Sequence, residues 1–565
     1  MNVGVDVGGT FTDAVLLEKN LVRATAKVPT RRDLLVSVLE AIDTVLKDVD
    51  VKKLERIVFS TTTITNLIAE RKYKDVALLL IPGPGLAHES YNFGTKAYIL
   101  PGAIDYRGRE IIPLNDRDLE LALADLSRQG CSRVCVIGKF SPRNTSHEKH
   151  VADMIQKKYP SWQVDLGSMI GGQLNFPRRV VTTYLTSATR VPYHYFIESI
   201  RQAMTKREIN ADVFILKADG GTMSLENAEE LPVETIFSGP AASTLGVQAL
   251  IPPGETAVVV DIGGTTTDLA LILSGQPLLS SKGARLENQL TQVRTLAVKS
   301  VPVGGDSALE RAGKDFIVRS VRLGPAYCMG GPAPTPTDAL RVIGLTELGD
   351  GVKAREAMAG LGTPLNLSAT DVAKTVIKMV VDRIASEVNR MFLDWEQEPA
   401  YLVWEVLQKK KVRPNLVVGV GGGASGLITQ IASRLRCEPV IPPYAPVANA
   451  IGAAVAKPTM QISLRADTEQ EYYIIQEEGL QGKLDRRHFD EKKALELAKE
   501  KLIQRAAKYG LDVEPEEIEI THREVFNMIR DWTTTGRLFD ITVQTPRGIT
   551  GKVLKGGGYD EKTQM

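Results

Sequence analysis

With 565 residues, 43% of them hydrophobic and 24% charged, the chain sits near the globular average and is long enough for several cores. A formal net charge of +1, with Lys and Arg spread rather than blocked, excludes an electrostatic footprint for nucleic acid or an anionic membrane. Four cysteines without a C-x-x-C pair give no disulfide framework and read as structural thiols; Asp6 interrupts any secretory signal and no stretch approaches a membrane span, so a cytoplasmic protein is expected.

Residues 2–27 read as three short strands, and their first turn lies in Val5-Asp6-Val7-Gly8-Gly9-Thr10-Phe11-Thr12-Asp13. This segment returns as Val260-Asp261-Ile262-Gly263-Gly264-Thr265-Thr266-Thr267-Asp268, an internal repeat that differs at two positions. Each copy reads as a hairpin with a glycine turn. Without Cβ atoms, Gly8, Gly9, Gly263 and Gly264 let successive N–H groups approach an anion, and the hydroxyls of Thr10, Thr12, Thr265 and Thr267 add donors. Asp6 and Asp261 would repel a phosphate unless a divalent cation, Mg²⁺ with its water shell, lay between them.

An amphipathic helix follows over 33–46, then a strand at 57–59 and a hydroxyl-rich segment, Thr61-Thr62-Thr63, that either caps a helix to residue 72 or faces the ligand. Residues 82–113, rich in Gly, Pro, Tyr and Asn, read as a long loop or insertion. Helices and strands alternate to residue 166; His147 and His150 lack a third metal ligand nearby and read as a solvated helix face. Two helices, 178–189 and 193–205, lead to a strand and Asp219-Gly220-Gly221, either a ligand turn or a tight connection. Ser238-Gly239-Pro240-Ala241-Ala242-Ser243 starts a helix of small residues suited to a hinge.

Beyond the second hairpin, Gly304-Gly305-Asp306 reads as a glycine pair before a helix start, offering N–H groups to an anion, with Asp306 alternatively a helix N-cap. A long helix begins after Ser368, its stripe of Val372, Val376, Val380, Ile384, Val388 and Phe392 reading as core. A buried strand then runs into Gly421-Gly422-Gly423 and a helix, a turn able to take a base or sugar against bare backbone, and 449–456 reads as a closing helix. After residue 460 come strands near 472–475, 518–520 and 538–543 and a charged helix at 491–509; 556–565 is expected to fray.

Together these segments resemble the A subunit of the hydantoinase and oxoprolinase family, within the actin-like ATPase superfamily. The resemblance rests on 4–13, 61–70, Asp219-Gly220-Gly221, Ser238 to Ala242, 261–268, Gly324-Pro325-Ala326 with Gly330-Gly331-Pro332 and Thr335 to Asp338, and Gly421 to Gly423. It implies an α/β fold of duplicated actin-like (ribonuclease H-like) ATPase domains around a nucleotide cleft: residues 1–250 with an insertion near 82–115, residues 251–460, and a small α+β appendage over 461–565. It also implies ATP and Mg²⁺ as cofactors, Asp6 and Asp261 as metal contacts, phosphates on both hairpins, and adenosine on Gly421 to Gly423.

The activity so implied is ATP-dependent hydrolysis of a cyclic amide, such as a hydantoin, 5-oxoproline or another lactam, in an oligomer with a separate B-type subunit. Asp6, Asp13, Asp261 and Asp268 are the expected catalytic carboxylates. The chain departs from the family pattern at Phe59-Ser60, where His-Gly is common, at Asp306, which interrupts a glycine triplet, and at 423–427, which lacks a histidine. A small-molecule kinase of the same fold, a ketone carboxylase subunit and a regulatory ATPase stand as alternatives.

Overall fold

Strand β1 (Asn2–Val7) is buried from Val3 onward and takes the centre of a six-stranded sheet. The computed structural model describes residues 1–74, 76–85, 96–286, 288–397, 412–422, 424–509, 511–530 and 532–554. The expected frayed end, 556–565, and residues 86–95 of the expected insertion lie outside them. β1 turns back into β2 (Phe11–Glu18), which pairs with β3 (Leu21–Pro29). Helix α1 (Leu34–Val45) follows, started by Asp33, whose carboxylate accepts from the Leu35 N–H at 3.1 Å. Strand β4 (Arg56–Thr61) lies parallel to β1.

Between β4 and residue 176, with the helices Thr63–Ala69, Asp116–Arg128 and Ser146–Lys158 interspersed, four parallel strands form a second sheet in the order Gln163–Leu166, Arg133–Gly138, Ala77–Ile81, Ala97–Ile99. Helix α2 (Phe176–Lys206) is one 31-residue helix where the sequence suggests two. Pro192 costs it one backbone hydrogen bond. Buried Tyr193, Phe196, Ile197 and Ile200 nevertheless continue the apolar face of Val180, Tyr184 and Leu185 into the same core, and that packing carries the helix through the proline. β5 (Asp212–Leu216) and β6 (Thr222–Ser224) complete the first sheet, in the order β6-β5-β4-β1-β2-β3.

Helix α3 (Ser238–Leu250) leads to β7 (Ala257–Ile262), which pairs antiparallel with β8 (Thr267–Leu273). β9 (Val298–Val301) pairs with β8 on its other side. After the 28-residue α4 (Ala369–Glu396), whose expected stripe is buried, β10 (Leu416–Val420) lies parallel to β7 and runs into α5 (Ala424–Leu435). Each repeat therefore occupies the same setting: a hairpin whose first strand also has a parallel neighbour from later in the chain.

Helix α6 (Ala448–Val455) joins the two settings. A Cβ built on Gly246 of α3 would lie 2.0 Å from the Ala448 carbonyl oxygen, one on Gly452 1.9 Å from that of Ala242, and one on Gly4 of β1 1.9 Å from that of Ala450. Only glycine lets α6 lie this close to α3 on one side and β1 on the other. Beyond it, a five-stranded antiparallel sheet running from Gln461–Asp467 to Thr533–Gln544 buries Ile462, Leu464, Phe539 and Ile541 against α7 (Glu491–Lys508).

Candidate functional site

Strand register places the repeat's aspartates in two matching rows. Ser60, Asp6, Asp13 and Lys27 are opposed across β4, β1, β2 and β3; Val420, Asp261, Asp268 and Ser300 are opposed across β10, β7, β8 and β9. Directly opposed residues share a sheet face and interact. In the first row, Lys27 Nζ donates to Asp13 Oδ1 at 2.8 Å. In the second, Ser300 takes the place of that lysine.

Asp6 and Asp261 are linked through two residues, Asn449 and Ser243. Asn449, at the start of α6, donates from Nδ2 to Asp6 Oδ2 at 3.2 Å. Ser243 Oγ, on α3, lies 2.6 Å from Asp261 Oδ2 and 2.8 Å from Asn449 Oδ1. Ser60 Oγ donates to Asp6 Oδ1 at 2.5 Å. Burial pushes both carboxyls above the usual range, more than these hydrogen bonds pull them down, and the Asp261 charge raises Asp6 further. Burial also raises Asp13 to about 6, against the pull of Lys27, and Asp268 to about 6. Carboxylates this close and this desolvated are a receptor for positive charge.

The turns beside them hold open donors. The Gly8 N–H closes the first turn onto Phe11 O at 3.0 Å, and the Gly263 N–H closes the second onto Thr266 O at 3.0 Å. Among the described residues, the N–H groups of Gly9, Thr10, Gly264 and Thr265 make no hydrogen bond to backbone or side chain. Gly9, Thr10 and Thr265 are exposed, and the nearest atom to a Cβ built on Gly9 is Asn66 Nδ2 at 4.0 Å. The third turn packs on Asp261: Gly421 has φ +81°, and its Cβ would lie 2.4 Å from Asp261 Oδ1. Gly422 is exposed with open space beside it, and Gly423 lies outside the described residues.

Two expectations need correction. Thr12 and Thr267 are buried, their hydroxyls engaged with Thr30 Oγ1 at 3.0 Å and Val303 O at 2.7 Å, so Thr10 and Thr265 remain as the hydroxyls at the turns. Gly304, Gly305 and Asp306 precede not a helix but the strand Ser307–Ala312. Their N–H groups bond to Ser307 Oγ at 2.9 Å, Gly263 O at 3.0 Å and Gly264 O at 2.7 Å. The segment buttresses the second hairpin instead of offering donors to an anion, and Asp306 pairs with Arg322 at 3.0 Å.

Of the other motifs, Thr61 Oγ1 accepts from the Thr63 N–H at 3.1 Å, and Ser238 Oγ donates to Thr61 O at 2.7 Å, pinning α3 to the end of β4. Asp219 accepts from the Gly221 N–H at 2.9 Å; the Lys217 charge and that bond hold it low despite burial. His147 and His150 pair with different carboxylates, Glu110 at 2.6 Å and Asp116 at 2.7 Å. His147 is buried, unlike the solvated face expected. Sequence reasoning assigned no site role to Asn449, Ser243 or Lys27. The one available signal was a polar Asn opening an otherwise small and apolar segment.

The donor set suits a phosphate chain with a hard cation: open N–H groups and hydroxyls for the anion, Asp6 and Asp261 for the metal. Among the described residues no cluster of three or more metal-ligating side chains occurs, so a cation here would complete its shell with water and phosphate oxygens, the habit of Mg²⁺. Residues 2–159 match the Hydantoinase/oxoprolinase N-terminal region, and residues 179–462 match Hydantoinase/oxoprolinase. The chain belongs to the hydantoinase/oxoprolinase family.

Members of the hydantoinase/oxoprolinase family resemble it along most of its length. The caprolactamase subunit alpha of Pseudomonas jessenii is 23% identical over 489 residues, covering 78% of this chain and 68% of the relative. The nucleotide-free acetone carboxylase structure, from work on ATP-dependent acetone carboxylation, superposes with a TM-score of 0.71 at 17% identity, covering 98% of this chain and 88% of that one. The ATP-dependent caprolactamase of Pseudomonas jessenii gives a TM-score of 0.70 at 19% identity, covering 97% and 87%. These structures share the mixed α/β fold. Among the described residues no helix is long and apolar enough to cross a membrane.

Proposed function

We propose that the chain binds ATP and Mg²⁺ between its two hairpins and uses them to activate a cyclic amide for ring opening. The observation that carries this reading is the pair of desolvated carboxylates, Asp6 and Asp261, linked through Asn449 and Ser243 beside two turns with open N–H groups. Bound there, ATP supplies a phosphoryl group that turns an inert amide oxygen into part of a leaving system. Gly9, Thr10, Gly264 and Thr265 hold phosphate oxygens by N–H and hydroxyl. Asp6 and Asp261 orient the cation, and Gly421 and Gly422 lie against the adenosine. Asp13 and Asp268, close to neutral pH in their affinity for protons, are the candidates for moving a proton to or from the substrate. Such a site works by positioning and charge neutralisation, which is what phosphoryl transfer needs.

The equivalent settings of the two repeats support a duplicated actin-like architecture: residues 1–250 and 251–460 as the two halves and 461–565 as an appendage. The name of the caprolactamase subunit alpha supports an oligomer with a second, B-type subunit. Four free thiols suit a cytoplasmic setting. The likeness to acetone carboxylase supports a second reading, in which the phosphoryl acceptor is the oxygen of a ketone about to be carboxylated.

Phosphate release from Mg-ATP, measured against hydantoins, 5-oxoproline, other lactams, polyols and ketones with and without bicarbonate, tests the proposal. Stimulation by a cyclic amide supports it. Stimulation by a ketone only with bicarbonate replaces it with the carboxylase reading, and a stable phosphorylated product from a polyol replaces it with a kinase.

A further inference from the structure

A cation stands beside each glycine turn, and the two differ in what they have left to give. Lys27 Nζ lies 5.1 Å from the centre of the Phe11 ring, at the end of the first turn. Its three N–H groups are spent on Asp13 Oδ1 at 2.8 Å, Asp13 Oδ2 at 2.9 Å and Pro446 O at 3.2 Å. Arg322 stands beside the second turn. A Cβ built on Gly264 would lie 3.7 Å from its guanidinium carbon. Nε donates to Gly324 O at 3.3 Å, and Nη2 meets Asp306 Oδ2 at 3.0 Å. A guanidinium carries five N–H donors, so these two bonds leave three, and among the described residues Nη1 has no hydrogen-bond partner. The side chain is 35% exposed, so a ligand can reach it.

The backbone holds Arg322 in this place. It ends the strand Asp315–Arg322, where it is opposed to Ser307 of the strand Ser307–Ala312. The root of that two-stranded hairpin is fastened to the second glycine turn: the Gly305 N–H donates to Gly263 O at 3.0 Å and the Asp306 N–H to Gly264 O at 2.7 Å. A Cβ on Gly304 would lie 2.6 Å from those same two carbonyl oxygens, an approach that only glycine permits. Asp306 Oδ2 is itself 2.9 Å from the Cβ built on Gly264. Alone, that carboxylate would repel a phosphate at the open Gly264 N–H. Paired with Arg322 its charge is offset, and the guanidinium keeps donors for an anion.

We propose that Arg322 contacts a phosphate oxygen of the nucleotide at the second turn, alongside the N–H groups of Gly264 and Thr265. The contact rests on the reading of the two hairpins as an ATP site. It makes the repeats unequal: the first turn meets phosphate with neutral donors alone, since Lys27 is spent, and the second adds a positive charge held in place before the ligand arrives.

Calorimetric titration of the full chain with Mg-ATP tests the contact without needing turnover. Arg322→Met is expected to weaken Mg-ATP binding about tenfold or more, the loss of a charge-assisted hydrogen bond. Asp306→Asn breaks the same ion pair but keeps the guanidinium and removes a negative charge from the turn. It is expected to bind Mg-ATP at least as tightly as the parent. Circular dichroism checks that each variant is folded. Undiminished Mg-ATP binding by folded Arg322→Met overturns the proposal and leaves the nucleotide reading standing. Equal losses in the two variants overturn it as well, because they show that the ion pair only props the hairpin. Absence of saturable heat with Mg-ATP in the parent chain overturns the nucleotide reading itself, and this contact with it.

Discussion

Asp6 and Asp261 lie where the fold alone gives them little reason to be charged: Asp6 is buried and Asp261 half-buried, desolvation raises both, and hydrogen bonds from neutral side chains compensate in part. A bound cation supplies the missing compensation. Asp261→Ala is therefore expected to lower metal-dependent ATP turnover by about a hundredfold or more, while the circular dichroism spectrum stays that of the parent. An unchanged rate would remove the second hairpin from the site. Glu234 gives an independent test at this scale. Its carboxyl titrates near 7 when folded and near 4.3 in an unfolded chain, so between those values the folded state holds the extra proton. Stability from this group is full below about pH 4.3 and is lost as pH rises through about 7. Glu234→Gln should stabilise the ligand-free chain at pH 8 by on the order of 2 kcal/mol and flatten that slope, as read by urea unfolding at pH 5 and pH 8.

Helix α6 is the element on which the geometry depends, because glycines at Gly4, Gly246 and Gly452 let its backbone touch both β1 and α3. Gly452→Ala places a methyl 1.9 Å from the Ala242 carbonyl oxygen, a contact that no rotamer change relieves. We expect a loss of about 3 kcal/mol or more in urea unfolding, against about 1 kcal/mol of gain for the same change in an exposed helix. Such elements differ in how far sequence reveals them. The hairpins are legible because the turn chemistry is local and occurs twice. The continuity of α2 is not, because Pro192 is a strong local signal that long-range burial of Tyr193 and Phe196 overrides. The misreading at Gly304 to Asp306 has the same cause. A glycine pair followed by Asp and Ser is a fair helix start locally, yet its N–H groups are claimed by the Gly263 and Gly264 carbonyls of a strand pair formed earlier in the chain. Thr12 and Thr267 read as donors from their place beside the turns, which records a turn but not the inward alternation of the strand that buries them.

At the scale of the whole molecule, the two hairpins belong to different sheets, and the described contact between their aspartates runs through Ser243 and Asn449, the latter 443 residues from Asp6. The repeat reveals the two hairpins but not what joins them, since no local pattern records a partner that far along the chain. If Asn449 couples the two carboxylates, cation binding at one hairpin should depend on the other through it. Asn449→Ala leaves the glycine contacts of α6 intact and removes only the amide, so its effect is separable from misfolding. The expected result is a rise of about tenfold in the Mg-ATP concentration needed for half-maximal turnover. Asp6→Asn and Asp261→Asn, combined in turn with Asn449→Ala, should then show non-additive losses of at least about 1 kcal/mol. Hydrogen exchange adds a readout without turnover: Mg-ATP should slow exchange at residues 8–12 and 263–267 together in the parent chain, and protect the two segments unequally in Asn449→Ala. Equal protection in both chains, with additive losses, would mean that the two hairpins meet their ligand independently and that Asn449 only packs between them.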